Sequence, residues 1–302
     1  MLNFLTENIL SAIRNVNINL VYELRIRANK PVVLNYGGNY TFLGGRGITE
    51  NIGGALVASY ADIEKIIYRA SEFSVYSVSE QLRRGFIAGA NGERIGLAGE
   101  FVYENGSVLT VKDVTSLNIR VPHEVRGSGE EIYRACFMRG LANALIVSAP
   151  GRGKTTILRD LARLISSHYL INILINDERN EICACNKDYS LDTGAFTDII
   201  RYADKRDSLV CAMRSMRPDL IITDEVVSPE EADALAACVR GGITVIASAH
   251  CKDLESLLTS PVFARVLQEK VFEYYIVLSS AGVGNLSGIY DADLRAVSGQ
   301  KC

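Results

Sequence analysis

The sequence predicts an α/β chain in two parts: a smaller α+β region over residues 1–126, then a mostly parallel sheet with crossover helices over residues 130–302. Three observations predict it. After residue 130, short apolar runs alternate with stretches at helical spacing, the pattern of buried parallel strands covered by helices. Before residue 126, alternating strands are broken by Asn-Gly and Gly-Gly pairs, which are hairpin and loop signals. Between the two, Pro122 and Gly127-Ser128-Gly129 have the composition of a linker.

Taken in order, the stretch to Ile13 puts Leu2, Leu5, Ile9, Leu10 and Ile13 on one helical face without a basic leading region, so it is expected as a packing helix rather than a signal. Val21–Arg27 alternates apolar and polar, and Asn29-Lys30-Pro31 turns it into Val32–Tyr36. Helices are expected at Tyr60–Ala70 and Val75–Leu82. Asn91-Gly92 is expected to close a hairpin between Gly85–Gly89 and Glu93–Gly99, and Asn105-Gly106 to repeat the device before Val108–Val111. Ser116–Val121 completes the region. Beyond the linker, Glu130–Arg139 is expected to be helical. The alternation then runs through Leu145–Ser148, Thr155–Ser166, Leu170–Asn176, Thr197–Arg201, Leu209–Met213, Leu220–Asp224, Glu230–Val239 and Thr244–Ala249.

Composition narrows the classes. Lys and Arg total 32 against 35 Asp and Glu, so net charge announces no polyanion-binding surface and no nucleic-acid partner is expected. The cysteines number seven, odd and dispersed, which points to reduced thiols in a cytoplasmic setting. Cys183-Ala184-Cys185 has no second pair at zinc-site spacing. No apolar run approaches the ~18 residues that span a bilayer.

The chemistry centres on Ser148-Ala149-Pro150-Gly151-Arg152-Gly153-Lys154-Thr155-Thr156, between an apolar strand and an amphipathic helix. A polyphosphate needs several inward-facing backbone N–H groups at a helix N-terminus, and glycines where a side chain would block the approach. Gly151 and Gly153 supply that freedom, Lys154 is placed for the β and γ phosphates, and the Thr155 hydroxyl for a Mg²⁺ shell. Pro150, Arg152 and Thr156 complete the loop. The strict motif has glycine where this chain has Ser148. The fold expected is therefore a RecA-like P-loop NTPase core behind the α+β region, with ATP and Mg²⁺ as ligands.

Ligands of open parallel sheets bind beyond the carboxyl ends of the strands, and three of those ends are polar. Leu220–Thr223 delivers Asp224 and Glu225, which fit the magnesium-shell and water-orienting roles. Ile173–Asn176 delivers Asp177, Glu178, Arg179 and Glu181, where Asp177 or Glu178 serves the water or the metal shell. Thr244–Ala249 ends in His250, one of three histidines, in a position to report the γ-phosphate. Arg214, Arg217, Arg25, Arg27, Arg83, Arg84 and Arg94 are candidates for charge stabilisation.

These residues carry a resemblance. Glu23–Arg27, Gly92–Glu100, Ser116–Arg120, Pro150-Gly151 with Gly153–Thr156, Asp177-Glu178-Arg179 with Glu181-Ile182, Arg214-Ser215-Met216 and Asp224-Glu225, in that order, resemble the stage III sporulation protein AA family, itself similar to the ATPases of type II secretion and type IV pili. The resemblance implies Asp and His boxes at Asp177–Glu181 and Gly241–His250. It further implies a homo-hexameric ring with nucleotide between the N-terminal and core domains. It also implies a motor in the mother-cell cytoplasm, held at the membrane through the membrane subunits of a channel to the forespore. In the secretion enzymes the pair at 224–225 is Gly-Glu, which makes Glu225 the safer carry-over. The alternatives are a nucleic-acid-stimulated NTPase and a nucleotide-binding scaffold with little turnover.

Overall fold

A computed structural model of the chain describes residues 2–72, 74, 78–185 and 189–297. They fall into two compact units, Met1–His123 with Ala184–Ser190, and Glu124–Cys183 with Leu191–Cys302.

In the first unit α1 (Glu7–Ile13) precedes β1 (Val21–Arg27), β2 (Lys30–Pro31), β3 (Val33–Tyr36), β4 (Asn39–Gly44), β5 (Gly47–Thr49) and β6 (Val57–Ala58). Then come α2 (Tyr60–Ala70), α3 (Ser79–Arg83), β7 (Phe86–Ala88), β8 (Arg94–Glu104) and β9 (Ser107–Arg120). Seven strands form an antiparallel sheet in the order β5-β4-β3-β1-β9-β8-β7, and β2 pairs separately with β6. The inward residues Leu24, Ile26, Ile95 and Ile119 meet Ile63 and Ile66 of α2 in one apolar core. Helix α2 has the span its periodicity predicts, and it starts where Ser59 and Asp62 cap each other's backbone N–H.

Both Asn-Gly hairpins form, and the strands and helix beside them differ from expectation. Asn105-Gly106 does close a two-residue turn, with φ of +50° and +78° and Glu104 paired to Ser107. Asn91-Gly92 closes its hairpin as well, β7 on β8 with Ala88 opposite Arg94, but through a longer loop, where Gly89 N–H donates to Glu93 O at 2.7 Å and the buried Glu93 carboxylate accepts from the N–H groups of Asn91 and Leu2. The strands expected at 108–111 and 116–121 are the single strand β9, which crosses the polar Lys112-Asp113 through a bulge where Asp113 takes φ +48°. Residues 75–77 of the expected helix over 75–82 lie outside the described residues, and α3 runs on to Arg83.

The second unit opens with α4 (Glu130–Ile132), which passes into a π turn at Tyr133–Phe137 rather than continuing as α-helix to Arg139. There follow β10 (Ala144–Val147), α5 (Lys154–His168), β11 (Ile173–Asp177), β12 (Thr197–Arg201), α6 (Lys205–Cys211), β13 (Leu220–Thr223) and α7 (Pro229–Arg240). The chain ends with β14 (Thr244–Ala249), α8 (Leu254–Leu258), α9 (Ala264–Gln268), β15 (Tyr274–Leu278) and β16 (Leu286–Asp291). The sheet order is β12-β11-β13-β14-β10-β15-β16, parallel throughout except for β16 at the edge. Leu145, Val147, Leu174, Ile221, Val245 and Tyr275 bury one face of it against Leu235 of α7 and Val266 of α9. Strand β11 begins at Ile173 rather than Leu170, whose side chain is exposed. Among the described residues, no helix is long and apolar enough to cross a membrane.

Candidate nucleotide-binding site

Four adjacent parallel strands, β11, β13, β14 and β10, end on the same edge of the second unit's sheet. Beyond β10, whose four residues are all buried, the chain runs through Ser148, Ala149 and Pro150 into the loop that starts α5. Gly151 and Gly153 have φ of +73° and +90°, the left-handed region that glycine enters without steric cost. At Gly153 a Cβ would also lie 3.2 Å from the Gly284 nitrogen, because the chain between β15 and β16 crosses here and Gly284 N–H donates to Arg152 O at 3.0 Å. Pro150 and Gly151 are exposed, and Arg152, Thr155 and Thr156 are half-buried.

Lys154 is 5% exposed, and its Nζ donates to Ser148 O at 2.9 Å and Ala149 O at 3.2 Å. Burial pushes the ammonium down to about 8, while the nearby Glu225 carboxylate and Cys251 act in the opposite sense. Ser148 lies inside the loop. Its φ is not positive, so glycine is not required there, and its hydroxyl donates to Ala149 O at 3.0 Å.

The end of β13 carries the acidic pair. Asp224 is 6% exposed, and burial first, then the fields of Asp177, Glu225 and Glu181, push its carboxyl up to about 7 against the opposing pull of Lys205. Glu225 lies between two partners: Arg179 Nη1 is 3.1 Å from Oε2, and His250 Nε2 donates to Oε1. Val226 N–H bonds to Ser248 O at 2.8 Å, which fixes this turn against β14 and brings His250 to the carboxylate. Burial lowers the His250 pKa, as do the Lys154 and Arg179 charges, with Glu225 opposing.

At the end of β11, Asp177 is fully buried and has both oxygens engaged. Oδ1 accepts from Glu181 N–H and Oδ2 from Cys183 N–H, each at 2.8 Å. Burial nonetheless raises its pKa, with those amides pulling the other way. Arg159 of α5 holds the same loop by donating to Ile182 O and, at 2.9 Å, to Glu181 O. Glu178 is half-buried and follows directly.

The sequence thus places Lys154, Asp224, Glu225, Asp177, Glu178 and His250 on one sheet edge. Lys205, 1% exposed, was not foreseen: it donates to Glu225 O, lies 3.2 Å from Glu231 Oε2 and is 3.9 Å from Asp224 Oδ1. In the sequence it belongs to the charged run Asp204-Lys205-Arg206-Asp207, and only its place on the inner face of α6 separates it from a surface lysine. Two of the candidate arginines have partners within the first unit. Arg25 pairs with Glu23 and Arg94 stacks on Phe86 within the first unit, and Arg214 and Arg217 are exposed. Among the described residues, no group of three His, Cys, Asp or Glu side chains is placed to hold a metal ion by itself.

The fold is that of the pilus retraction motor PilT and of the ATPase DotB. The pilus retraction motor PilT, solved with bound ADP, superposes with a TM-score of 0.61 over 91% of this chain and 78% of that one at 15% identity. The ATPase DotB of Legionella pneumophila gives 0.57 over 95% and 77% at 13% identity. Residues 2–297 match the family model "Sporulation stage III, protein AA", and the chain belongs to that family. Stage III sporulation protein AA of Bacillus subtilis (strain 168) is 36% identical over 285 residues, covering 92% of this chain and 89% of that protein.

Proposed function

We propose that this chain is a Mg²⁺-dependent ATPase. In this reading residues 130–302 form the ATPase domain and residues 1–126 an N-terminal domain. The observation that carries the proposal is the convergence of Lys154, Glu225 and His250 at the ends of β10, β13 and β14, in front of a loop whose glycines leave room for phosphate. Beyond its two chain neighbours, no described residue has an atom within 4 Å of where a Gly151 Cβ would stand, so a polyphosphate can approach the backbone amides at the start of α5.

The donor set fits a divalent cation. The Asp224 carboxyl is buried in the field of three other carboxylates, a concentration of negative charge that a cation relieves. Thr155 and Asp224 are the residues to hold Mg²⁺, which when bound neutralises charge on the β and γ phosphates. Lys154 contacts those phosphates. Glu225 orients the attacking water and accepts its proton, and His250 donates to the same carboxylate and so registers its position. Because Asp177 spends both oxygens on the loop amides, we assign the remaining water-side role on β11 to Glu178.

Family membership and the fold shared with a pilus retraction motor support a cellular reading. The chain works as a homo-hexameric motor in the mother-cell cytoplasm, bound to the membrane subunits of a sporulation channel to the forespore. Phosphate release from ATP by the native chain and by Lys154→Ala tests the chemistry. The variant, deprived of its loop cation, should fall at least ~100-fold, and equal rates would refute the proposal. Sedimentation with Mg²⁺ and ATP tests the ring, and a chain that stays monomeric with its membrane partners present would remove that part alone.

A further inference from the structure

The loop after β11 is built to hold one residue. Asp177 caps it from inside through two amides, Asn180 N–H closes a tight turn on Asp177 O at 3.1 Å with φ +55°, and Asn180 Nδ2 reaches the Tyr202 hydroxyl at 3.2 Å. Arg159, from the helix that starts at the phosphate loop, grips the carbonyls of Glu181 and Ile182. What this braced loop carries at its tip is Arg179, with a side chain 53% exposed and a guanidinium 3.1 Å from Glu225 Oε2. A bond to so exposed a group adds little stability, so the bracing is not accounted for by the ion pair alone.

We infer that Arg179 is a terminal-phosphate contact of the site, exchanging the Glu225 carboxylate for the γ-phosphate of a nucleoside triphosphate. The inference rests on the ATPase reading above. Its basis is the alignment of two geometries: a guanidinium carries five donors in a planar fork that suits phosphate as well as carboxylate, and this one is held against the carboxylate that must be freed to orient water. The Glu225 charge acts on Lys154, and Lys154 and Arg179 both act on His250, so the phosphate that Lys154 holds lies within the same small group of charges. A diphosphate ends short of Arg179, leaving it on Glu225. A triphosphate draws it away. The residue thereby distinguishes the two nucleotides within one chain, without an arginine from a neighbouring subunit.

The test is equilibrium binding of ADP and of a non-hydrolysable ATP analogue, each with Mg²⁺, to the native chain, Arg179→Ala, Arg179→Lys and Lys154→Ala. Arg179→Ala should lose about 10-fold or more in affinity for the ATP analogue while its affinity for ADP stays within about twofold. Arg179→Lys should recover part of the loss, and Lys154→Ala should weaken both ligands. Equal weakening of both nucleotides by Arg179→Ala, or no change in either, overturns the assignment and leaves the ATPase reading standing. A native chain that binds neither ligand removes both.

Discussion

Lys205→Met takes a buried ammonium away from three oxygens at once. The side chain is 1% exposed, and it holds the Glu225 carbonyl, the Glu231 carboxylate at 3.2 Å and, more distantly, Asp224 at 3.9 Å. Removing one member of a buried ion pair costs about 3–5 kcal/mol, because the remaining charge is left without compensation. Glu231 keeps some access to solvent, with a side chain 15% exposed, so the lower end applies to it, and the orphaned Glu225 carbonyl adds about 1 kcal/mol. A total of about 4 kcal/mol is expected from urea unfolding at pH 8, a large share of the stability of an ordinary domain. The loss should shrink at pH 6, since the Asp224 carboxyl is already up at about 7 and Lys205 is one of the groups holding it down. Without Lys205 that carboxyl takes a proton more readily. Lys205→Met/Glu231→Gln should recover about half of the loss by removing the stranded carboxylate. A cost below about 1 kcal/mol at pH 8, or a double variant no better than the single, would refute the argument that Lys205 holds the acidic turn in place.

Other outcomes follow from the same geometry. Asp224 is raised from 3.8 to about 7 in the fold, so the native state holds a proton that the unfolded chain releases, and its contribution to stability, full below pH 4, is lost as pH rises through 7. Asp224→Asn should therefore be more stable than native at pH 8 without Mg²⁺, by about 2 kcal/mol after allowing for the weakened Lys205 pairing. The gap should close below pH 4, and denaturation curves at both pH values check it. Asn176 is fully buried in β11 with neither side-chain polar atom hydrogen-bonded among the described residues, so Asn176→Leu should raise the unfolding free energy by about 1 kcal/mol. A thermal melt that falls instead would mean the amide has a partner in solution. Gly153→Ala forces a side chain into φ +90° and against Gly284. It should cost about 1–2 kcal/mol and weaken ADP binding, as calorimetry would show.

The phosphate loop and the polar strand ends were legible because each is a short contiguous signal. Two glycines, a lysine and a threonine between strand and helix permit few other structures, and an apolar run ending in Asp224-Glu225 marks a buried strand meeting solvent. The contributions of Lys205 and Arg159 were not legible. Each is one residue in a helix, and its role depends on the face it presents after packing, as in the reach of Arg159 to the carbonyls of Glu181 and Ile182. The two Asn-Gly pairs were legible as hairpins, and both form. What no local signal announces is how the Asn91-Gly92 loop is held, by the buried Glu93 carboxylate through bonds to Asn91 and to distant Leu2. Likewise the polar Lys112-Asp113 interrupts the apolar pattern without interrupting β9, because a bulge absorbs it. Ser148 broke the strict motif on paper, yet its backbone does not need glycine and its hydroxyl bonds within the loop.

The bond from Gly284 N–H to Arg152 O gives the phosphate loop an address that can be read without touching it. Deuterium exchange at that single amide reports how often the loop lifts away from the crossing between β15 and β16, with no label in the loop and no substitution near the chemistry. It also makes the edge hairpin part of the loop's mechanics. A change in β16 that loosens the crossing reaches Arg152 through main chain, and would alter phosphate binding while every side chain of the site remained in place.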